Sequence, residues 1–232
     1  ARQVAAVLGQ IAHSGLPLAG VFHAAAVLDD GLLAQQTAAR IRRVMAPKAV
    51  GALLLHQLTR DLPLDFFVLY SSIAGLIGSP GQGNYAAANT LLDALAHARR
   101  QQGLAGLSID WGAFSDVGLA AERDSRGMRL ASRGIRSLTP DQGLDALEIL
   151  LAGEHAQVGV ADFDAQQWVQ FYPAAAGSPL LSQLVAQRRS AEPGQGGMTE
   201  LQQRLARVTG AAHQAVLEQF VRHEVAMVLR IP

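Results

Sequence analysis

The sequence contains no cysteine, few aromatic residues and few charged ones. The absence of cysteine excludes disulfide bonds, thiolate catalysis and zinc sites built from cysteine, and no other metal site is predicted. Only 16% of the 232 residues are charged, and 19 basic side chains balance 19 acidic ones. A chain without net charge lacks the electrostatic footprint with which proteins bind nucleic acid or acidic membranes. We therefore predict neither kind of partner.

Long apolar runs are also absent, although half of the residues are hydrophobic. The longest uncharged stretch, residues 66–92, is interrupted by Pro80 and four glycines, whereas a membrane-spanning helix needs about 20 mostly apolar residues. Residues 1–10 lack the charged leader and long apolar segment of a secretory signal. These absences predict a cytoplasmic protein. Because the sequence begins without methionine and within a helical pattern, we interpret it as a segment of a longer protein.

Short apolar runs alternate with helical patterns over most of the sequence. Strands are predicted at residues 18–26, 62–71, 104–110 and 156–161, and helices at residues 2–14, 37–60, 85–102 and 139–152. This alternation is typical of βαβ units. It predicts an α/β fold with a Rossmann-like, doubly wound parallel sheet.

The composition changes along the chain and predicts three parts. Residues 1–173 carry the strand-and-helix pattern, with residues 112–136 as a mobile cover. Residues 174–198 are rich in Ala, Gly, Ser and Pro and are predicted to be a linker. Residues 199–232 show helical patterns again, and we predict a helical segment there.

Polar side chains stand where the predicted strands end. In open parallel sheets, ligands bind outside the carboxyl ends of the strands. Ser72 lies at such an end, and the following helix carries Tyr85 and Asn89 four residues apart, on one helix face. We expect the serine hydroxyl, the phenol and the amide to lie close together.

Lys48 is the only lysine in the sequence, since every other basic residue is arginine. One reading is a solvated residue on a helix. The other reading is an ammonium group that lowers the pKa of a nearby tyrosine, because a phenol titrates near pH ~10 and needs positive charge to act at neutral pH.

These four side chains suit the reduction of a carbonyl group. Tyr85 would donate a proton to the developing alkoxide, and Ser72 would hydrogen-bond the carbonyl oxygen. Lys48 would lower the pKa of Tyr85 and hold the ribose of a cofactor, while Asn89 would anchor a proton relay. The hydride must come from a cofactor, since no side chain supplies one.

Four longer motifs contain these residues: His23-Ala24-Ala25 with Leu28-Asp29-Asp30, Pro47-Lys48-Ala49-Val50-Gly51-Ala52, Tyr70-Ser71-Ser72-Ile73-Ala74-Gly75, and Gly81-Gln82-Gly83-Asn84-Tyr85-Ala86-Ala87-Ala88-Asn89. Together with Asp110-Trp111-Gly112, they resemble the ketoreductase domain of modular polyketide synthases, a branch of the short-chain dehydrogenase/reductase family. The resemblance covers roughly residues 1–172. In stand-alone reductases a lysine follows the tyrosine by four residues. Asn89 at that place, with the lysine upstream, is typical of the synthase branch.

The resemblance implies the activity and its site residues. NADPH would be the cofactor, and the substrate would be a β-ketoacyl chain on the phosphopantetheine of an acyl carrier protein. It implies cofactor contacts in addition to Lys48 and Tyr85 from His23, Ala24, Ala25, Trp111 and Gly112. It also implies substrate contacts and stereocontrol by Leu28, Asp29, Asp30, Gln82, Phe114 and Met128.

The resemblance further implies the configuration of the product. Leu28-Asp29-Asp30 resembles the marker of the subgroup that forms D-3-hydroxyacyl (B-type) products, and no tryptophan precedes Tyr85 in its loop. Ala87 stands where proline would suggest epimerisation. Ala26 departs from the family pattern, which has glycine there.

The resemblance leaves alternatives open. We expect the first half of the nucleotide-binding fold, with its Gly-rich turn, to lie outside this sequence. Residues 213–231 resemble the first helix of an acyl carrier protein, although a docking or linker helix would show the same pattern. The parent would then be a homodimeric synthase with further polyketide synthase domains. The alternatives are a free-standing reductase and a catalytically silent structural half.

Overall fold

The computed structural model of the chain describes residues 2–117, 124–191, 205 and 211–229. The chain divides into two units, Ala1–Ala176 and Gly177–Pro232. The predicted linker at residues 174–198 contains most of the single-turn helix Pro173–Gly177 and the whole of the helix Pro179–Ala191. Part of the predicted cover, residues 118–123, and much of the predicted linker and C-terminal segment lie outside the described residues.

A four-stranded parallel sheet forms the centre of the first unit. Its strands are β1 (Gly20–His23), β2 (Phe66–Ser72), β3 (Leu107–Trp111) and β5 (Gln157–Val160), and they lie side by side in the order β1–β2–β3–β5. The short strands β4 (Ile135–Arg136) and β6 (Asp162–Phe163) form a separate antiparallel pair. The predicted Rossmann-like α/β fold is confirmed.

Helices connect the strands and cover both faces of the sheet. In the first unit they are α1 (Arg2–His13), α2 (Ala38–Met45), α3 (Gly51–Thr59), α4 (Ile73–Ile77), α5 (Gly83–Gln101), α6 (Asp124–Ala131), α7 (Pro140–Leu151) and α8 (Ala165–Phe171). The second unit contains α9 (Pro179–Ala191) and α10 (Ala211–Leu229). None of these described helices is long and apolar enough to cross a membrane.

Both faces of the sheet are buried, which explains the continuous apolar runs of its strands. One face packs on α3 and α5 through Val21, Ala52, Phe67, Leu69, Leu92, Leu95 and Ala96. The other face packs on α7 through Val68, Leu107, Ile109, Trp111, Leu138, Ala146, Leu147 and Leu150. The packing on both faces fixes the positions of the strands, and with them the carboxyl ends of the strands at one edge of the sheet.

Arg99 fixes α5 against the sheet. Its side chain is buried, and the guanidinium carbon lies 3.8 Å from the centre of the Phe67 ring. Its Nε donates to the carbonyl oxygen of Ala105 at 2.6 Å, and Nη1 lies 2.9 Å from Nδ1 of His56. A guanidinium stacks well on aromatic rings and supplies several donors, so one side chain joins α5, α3 and β2.

The predicted helix over residues 37–60 is interrupted. A π-helical turn, Ala46–Val50, separates α2 from α3. Pro47 lies in this turn and has no N–H for the regular helical hydrogen bond, which accounts for the interruption. The turn places Lys48, which is 2% exposed, inside the protein, so the reading of Lys48 as a solvated residue is wrong.

Several elements were not predicted from sequence. Helix α4 lies between the predicted strand at residues 62–71 and the predicted helix at residues 85–102, and the Ser72 side chain caps its N-terminus. Helix α8 begins after Asp164, whose carboxylate accepts from the backbone N–H groups of Gln166 and Gln167. The strands of the pair β4–β6 follow α6 and precede α8 along the chain.

A glycine substitution tests the junction between β4 and α8. Gly134 has φ +91°, and an added Cβ would lie 2.6 Å from the carbonyl oxygen of Asp164. We expect Gly134→Ala to lower the free energy of unfolding by about 2–4 kcal/mol through backbone strain and overpacking. Gly103→Ala is the matched control, because Gly103 has φ +72° with no atom within 4 Å of the added Cβ. It should cost only about 1 kcal/mol in urea denaturation, and equal losses would contradict this account.

Candidate active site

A cavity of about 480 Å³ opens at the carboxyl ends of β1, β2 and β3. Lys48, Ser72, Gln82 and Tyr85 supply polar groups to its wall. Apolar residues form most of the remaining lining, among them Ala24, Leu28, Ile73, Trp111, Phe114 and Leu144. A concave, mostly apolar site with a few converging polar groups is the usual form of a small-molecule site.

Lys48 lies beside Tyr85 at the base of this cavity. Its Nζ donates to the carbonyl oxygen of Tyr70 at 2.8 Å and lies 5.2 Å from the centre of the Tyr85 ring. Burial lowers the pKa of Lys48 to about 8, although the charge of Asp93 acts in the opposite direction. The ammonium group and the phenol that were expected to meet from sequence are therefore neighbours.

His23 supports the turn that carries Lys48. Its Nε2 lies 2.7 Å from the carbonyl oxygen of Lys48, to which it donates when it holds the proton. Burial lowers the pKa of His23, and the positive charge of Lys48 acts in the same direction. His23 therefore stabilises the turn as a neutral imidazole. It is not among the described residues that line the cavity.

Helix α5 presents Tyr85 and Asn89 from one face. The amide Nδ2 of Asn89 donates to the backbone oxygen of Tyr85 at 2.8 Å. The Asn89 side chain is fully buried, and its Oδ1 has no hydrogen-bond partner among the described residues. Ser71 Oγ donates to the Asn89 backbone oxygen at 3.3 Å, so β2 holds this part of α5.

Ser72 ends β2 at the cavity. Its hydroxyl oxygen accepts from the backbone N–H of Ala74 at 3.2 Å as the N-cap of α4. A hydroxyl that accepts still has its own proton to donate. Ser72 can therefore hydrogen-bond an oxygen atom in the cavity.

The loop of Asp29 and Asp30 is tied to the loop that precedes Tyr85. Arg40 donates to Asp29 Oδ1 through Nε at 2.9 Å and Nη2 at 2.7 Å, and to the Asp30 backbone oxygen at 2.5 Å. Gln82 Nε2 donates to Asp30 Oδ1 at 3.0 Å. These contacts form a clamp across one side of the cavity, which we call the Asp29 clamp.

The remaining predicted residues divide into two groups. Ala24, Leu28, Trp111, Gly112 and Phe114 line the cavity. Ala25 and Met128 are exposed, Met128 at 67%. Within the described part of the chain, these two are not lining residues.

Part of the wall was not foreseen. Arg133 contributes from the turn that follows α6, and Ile135, Leu144 and Trp168 contribute from β4, α7 and α8. No short motif marks these positions, because they converge only through tertiary packing. The sequence offered one signal for α8: Asp164 precedes it, and Asp is a frequent N-cap residue of helices.

Comparisons with known proteins agree with this geometry. The family model of the KR domain matches residues 1–116, half of the sequence. The chain belongs to the ketoreductase domains of polyketide synthases. It is 37% identical over 219 residues to a phenolphthiocerol/phthiocerol polyketide synthase of Mycobacterium tuberculosis. That alignment covers 94% of this chain and 10% of the relative.

Solved ketoreductase structures share the fold. The ketoreductase from the first module of phoslactomycin biosynthesis in Streptomyces sp. HK803 is 36% identical, with a TM-score of 0.71 over 77% of this chain and 41% of that one. A structure described as an A1-type ketoreductase is 35% identical, with a TM-score of 0.73 over 81% of this chain and 40% of that one. The family therefore comprises oxidoreductases within large multidomain synthases, and this chain spans less than half of the solved domains.

Hydrogen exchange at Gly31 tests whether Arg40 holds the Asp29 clamp closed. The backbone N–H of Gly31 donates to the Gly81 oxygen at 2.7 Å, which makes this amide a reporter of clamp opening. Arg40→Met should speed hydrogen exchange at Gly31 by about fivefold, since a partly exposed charged contact contributes about 1 kcal/mol.

Arg42→Met is the matched control, because Arg42 is exposed on the same helix α2. NMR-detected exchange at Gly31 should be unchanged in that variant. Equal exchange rates in both variants would show that Arg40 does not hold the clamp.

Proposed function

We propose that this chain is the catalytic part of a reductase that converts a β-ketoacyl thioester into a D-3-hydroxyacyl product, with NADPH as the reductant and an acyl carrier protein as the carrier. The observation that carries the proposal is the Lys48 ammonium 5.2 Å from the Tyr85 ring, in a cavity that Ser72 also lines. A buried cation, a phenol and a hydroxyl at one strand edge fit the reduction of a ketone.

Three side chains have different roles in the reduction of the ketone. Ser72 donates a hydrogen bond to the carbonyl oxygen, where negative charge develops during reduction. Tyr85 transfers its phenolic proton to that oxygen, which completes the alcohol. Lys48 stabilises the phenolate that remains on Tyr85, and the buried setting strengthens this attraction.

A nicotinamide cofactor supplies the hydride when bound. The residues present fit the nicotinamide end of such a molecule. Ala24, Trp111 and Gly112 line the cavity at the strand ends, and Trp111 Nε1 is buried with no hydrogen-bond partner among the described residues. A buried N–H donor without an acceptor is rare in proteins, so an acceptor on a bound molecule would satisfy it. Lys48 and Tyr85 would hold the ribose.

The proposed D configuration of the product depends on the Leu28-Asp29-Asp30 segment. Solved structures described as an A1-type and a C2-type ketoreductase both share the fold, so the fold alone does not support one configuration of the product. Leu28 lines the cavity, and the Asp29 clamp fixes the loop that contains it next to Gln82. This placement supports a role of the Leu28-Asp29-Asp30 segment in orienting the acyl chain. Chiral analysis of the product tests it, and an L-hydroxyacyl product would refute it.

Substitution of the proposed acid tests the mechanism. In the complete ketoreductase-containing protein, Tyr85→Phe should lower kcat for a β-ketoacyl thioester by about 10²–10⁴-fold, because it removes proton donation. Loss of NADPH absorbance measures the rate. Tyr172→Phe is the matched control, since the Tyr172 hydroxyl accepts from Arg133 at 2.6 Å and Tyr172 is not among the described lining residues. It should retain the parental rate.

The same assay separates the alternatives. Near-parental turnover by Tyr85→Phe would overturn the role of Tyr85, and no turnover by the parental protein would favour the silent structural half. A carrier-bound substrate should be reduced with a lower KM than the free thioester. Equal KM values would favour a free-standing reductase.

A further inference from the structure

Gly143 lies in the wall of the cavity, near the start of α7, and the mechanism above gives it no role. It is buried inside a helix. Alanine in such a position would make the helix more stable, because glycine loses more conformational freedom when a helix forms. Helix formation alone therefore does not account for this glycine. The atoms around it show what a side chain would meet.

The Phe114 ring occupies the space beside Gly143. A Cβ atom added at Gly143 would lie 2.5 Å from Cε1 and 2.9 Å from Cζ of that ring. Non-bonded carbon atoms normally stay about 3.5–4.0 Å apart, so the ring would have to move. Phe114 itself lines the cavity and is partly buried. Gly143 and Phe114 therefore meet within the cavity wall.

The backbone segments that carry these two residues are joined to each other. The N–H of Leu138 donates to the Ala113 oxygen at 2.7 Å, and the N–H of Ser115 donates to the Leu138 oxygen at 2.9 Å. Thr139 follows as the N-cap of α7, where its hydroxyl accepts from the Gln142 N–H and its own N–H donates to Gln142 Oε1. A clash would therefore move the aromatic ring rather than the backbone.

The Phe114 ring has neighbours on two sides and the cavity on a third. The Trp111 ring on β3 packs against it at a centroid distance of 5.4 Å, and Gly143 on α7 contacts it from the other element. Because the ring already lines the cavity, a ring displaced by a side chain at position 143 would enter that space. Such a side chain would narrow the cavity through Phe114.

We propose that Gly143 is a specificity-determining residue, which lets the Phe114 ring stay at the wall and so keeps the cavity wide enough for a medium-length acyl chain. The cavity of about 480 Å³ has a mostly apolar lining, which suits a hydrocarbon chain. The choice of an acyl thioester as the ligand rests on the proposed function. Binding itself can be measured without cofactor and without turnover.

The two tryptophans of the chain, Trp111 and Trp168, both line the cavity, so intrinsic fluorescence reports a ligand bound there. The probes are the N-acetylcysteamine thioesters of acetic and octanoic acid, which have no ketone to reduce. The parental chain should bind the octanoyl thioester more tightly. Gly143→Ala should raise the Kd of the octanoyl thioester by about tenfold and that of the acetyl thioester by less than about twofold, since only the longer chain needs the lost space.

Gly9→Ala is the matched control. Gly9 is also an interior glycine of a helix, α1, and an added Cβ there would have only its own helix backbone within 4 Å. Both Kd values should stay parental in that variant.

The double variant Gly143→Ala/Phe114→Leu tests whether the ring transmits the effect. It replaces the ring that clashes and should recover most of the affinity for the octanoyl thioester. The proposal would be overturned by a folded Gly143→Ala variant with the parental Kd for this probe, by an equal rise of both Kd values, or by a double variant that recovers nothing. A parental chain that does not bind the octanoyl thioester would overturn it as well.

Circular dichroism shows whether Gly143→Ala is folded. If it is not, Phe114→Ala decides the question, because it enlarges the same part of the cavity from the other side of the contact. The preference for the octanoyl over the acetyl thioester should then rise by about threefold or more. An unchanged preference would overturn the proposal. The proposed function fails separately, through the turnover of Tyr85→Phe.

Discussion

The structure depends on one unfavourable placement, the burial of the Lys48 ammonium group beside the Tyr85 ring. Removing an ammonium from water is costly unless neighbouring groups compensate. Here the Tyr70 oxygen accepts its hydrogen bond, the Tyr85 ring faces it, and Asp93 supplies the opposing charge. Burial lowers the pKa of Lys48 to about 8, which suits the acid–base role proposed for this group.

The fold supplies the rigidity that this placement needs. The π-helical turn Ala46–Val50 directs Lys48 inward, and His23 braces the turn through the Lys48 backbone oxygen. Arg99 fixes the distant end of α5 on Phe67, so the other end of the helix presents Tyr85 at a constant position. The site is thus built on packed strands and helices, and such elements hold reacting groups more accurately than loops do.

Much of the candidate active site could be predicted from sequence, because the signals were local. The alternating pattern indicated the parallel sheet, and a lone lysine among arginines indicated a specific role for Lys48. The π-helical turn could not be predicted, since a proline in a helical pattern can end, kink or bulge the helix. The wall residues Arg133 and Trp168 come together only through contacts between distant segments. Their sequence surroundings carry no motif that marks a site.

The central claim is that Lys48 and Tyr85 are neighbours in the protein. The direct measurement is a ¹³C-edited NOE experiment on the chain with labelled lysine, observed at the ring protons of its three tyrosines. The account predicts cross-peaks from the Lys48 ε protons to one tyrosine ring and their loss in Tyr85→Leu. Absence of such cross-peaks in the folded parental chain, or their persistence in Tyr85→Leu, would contradict it.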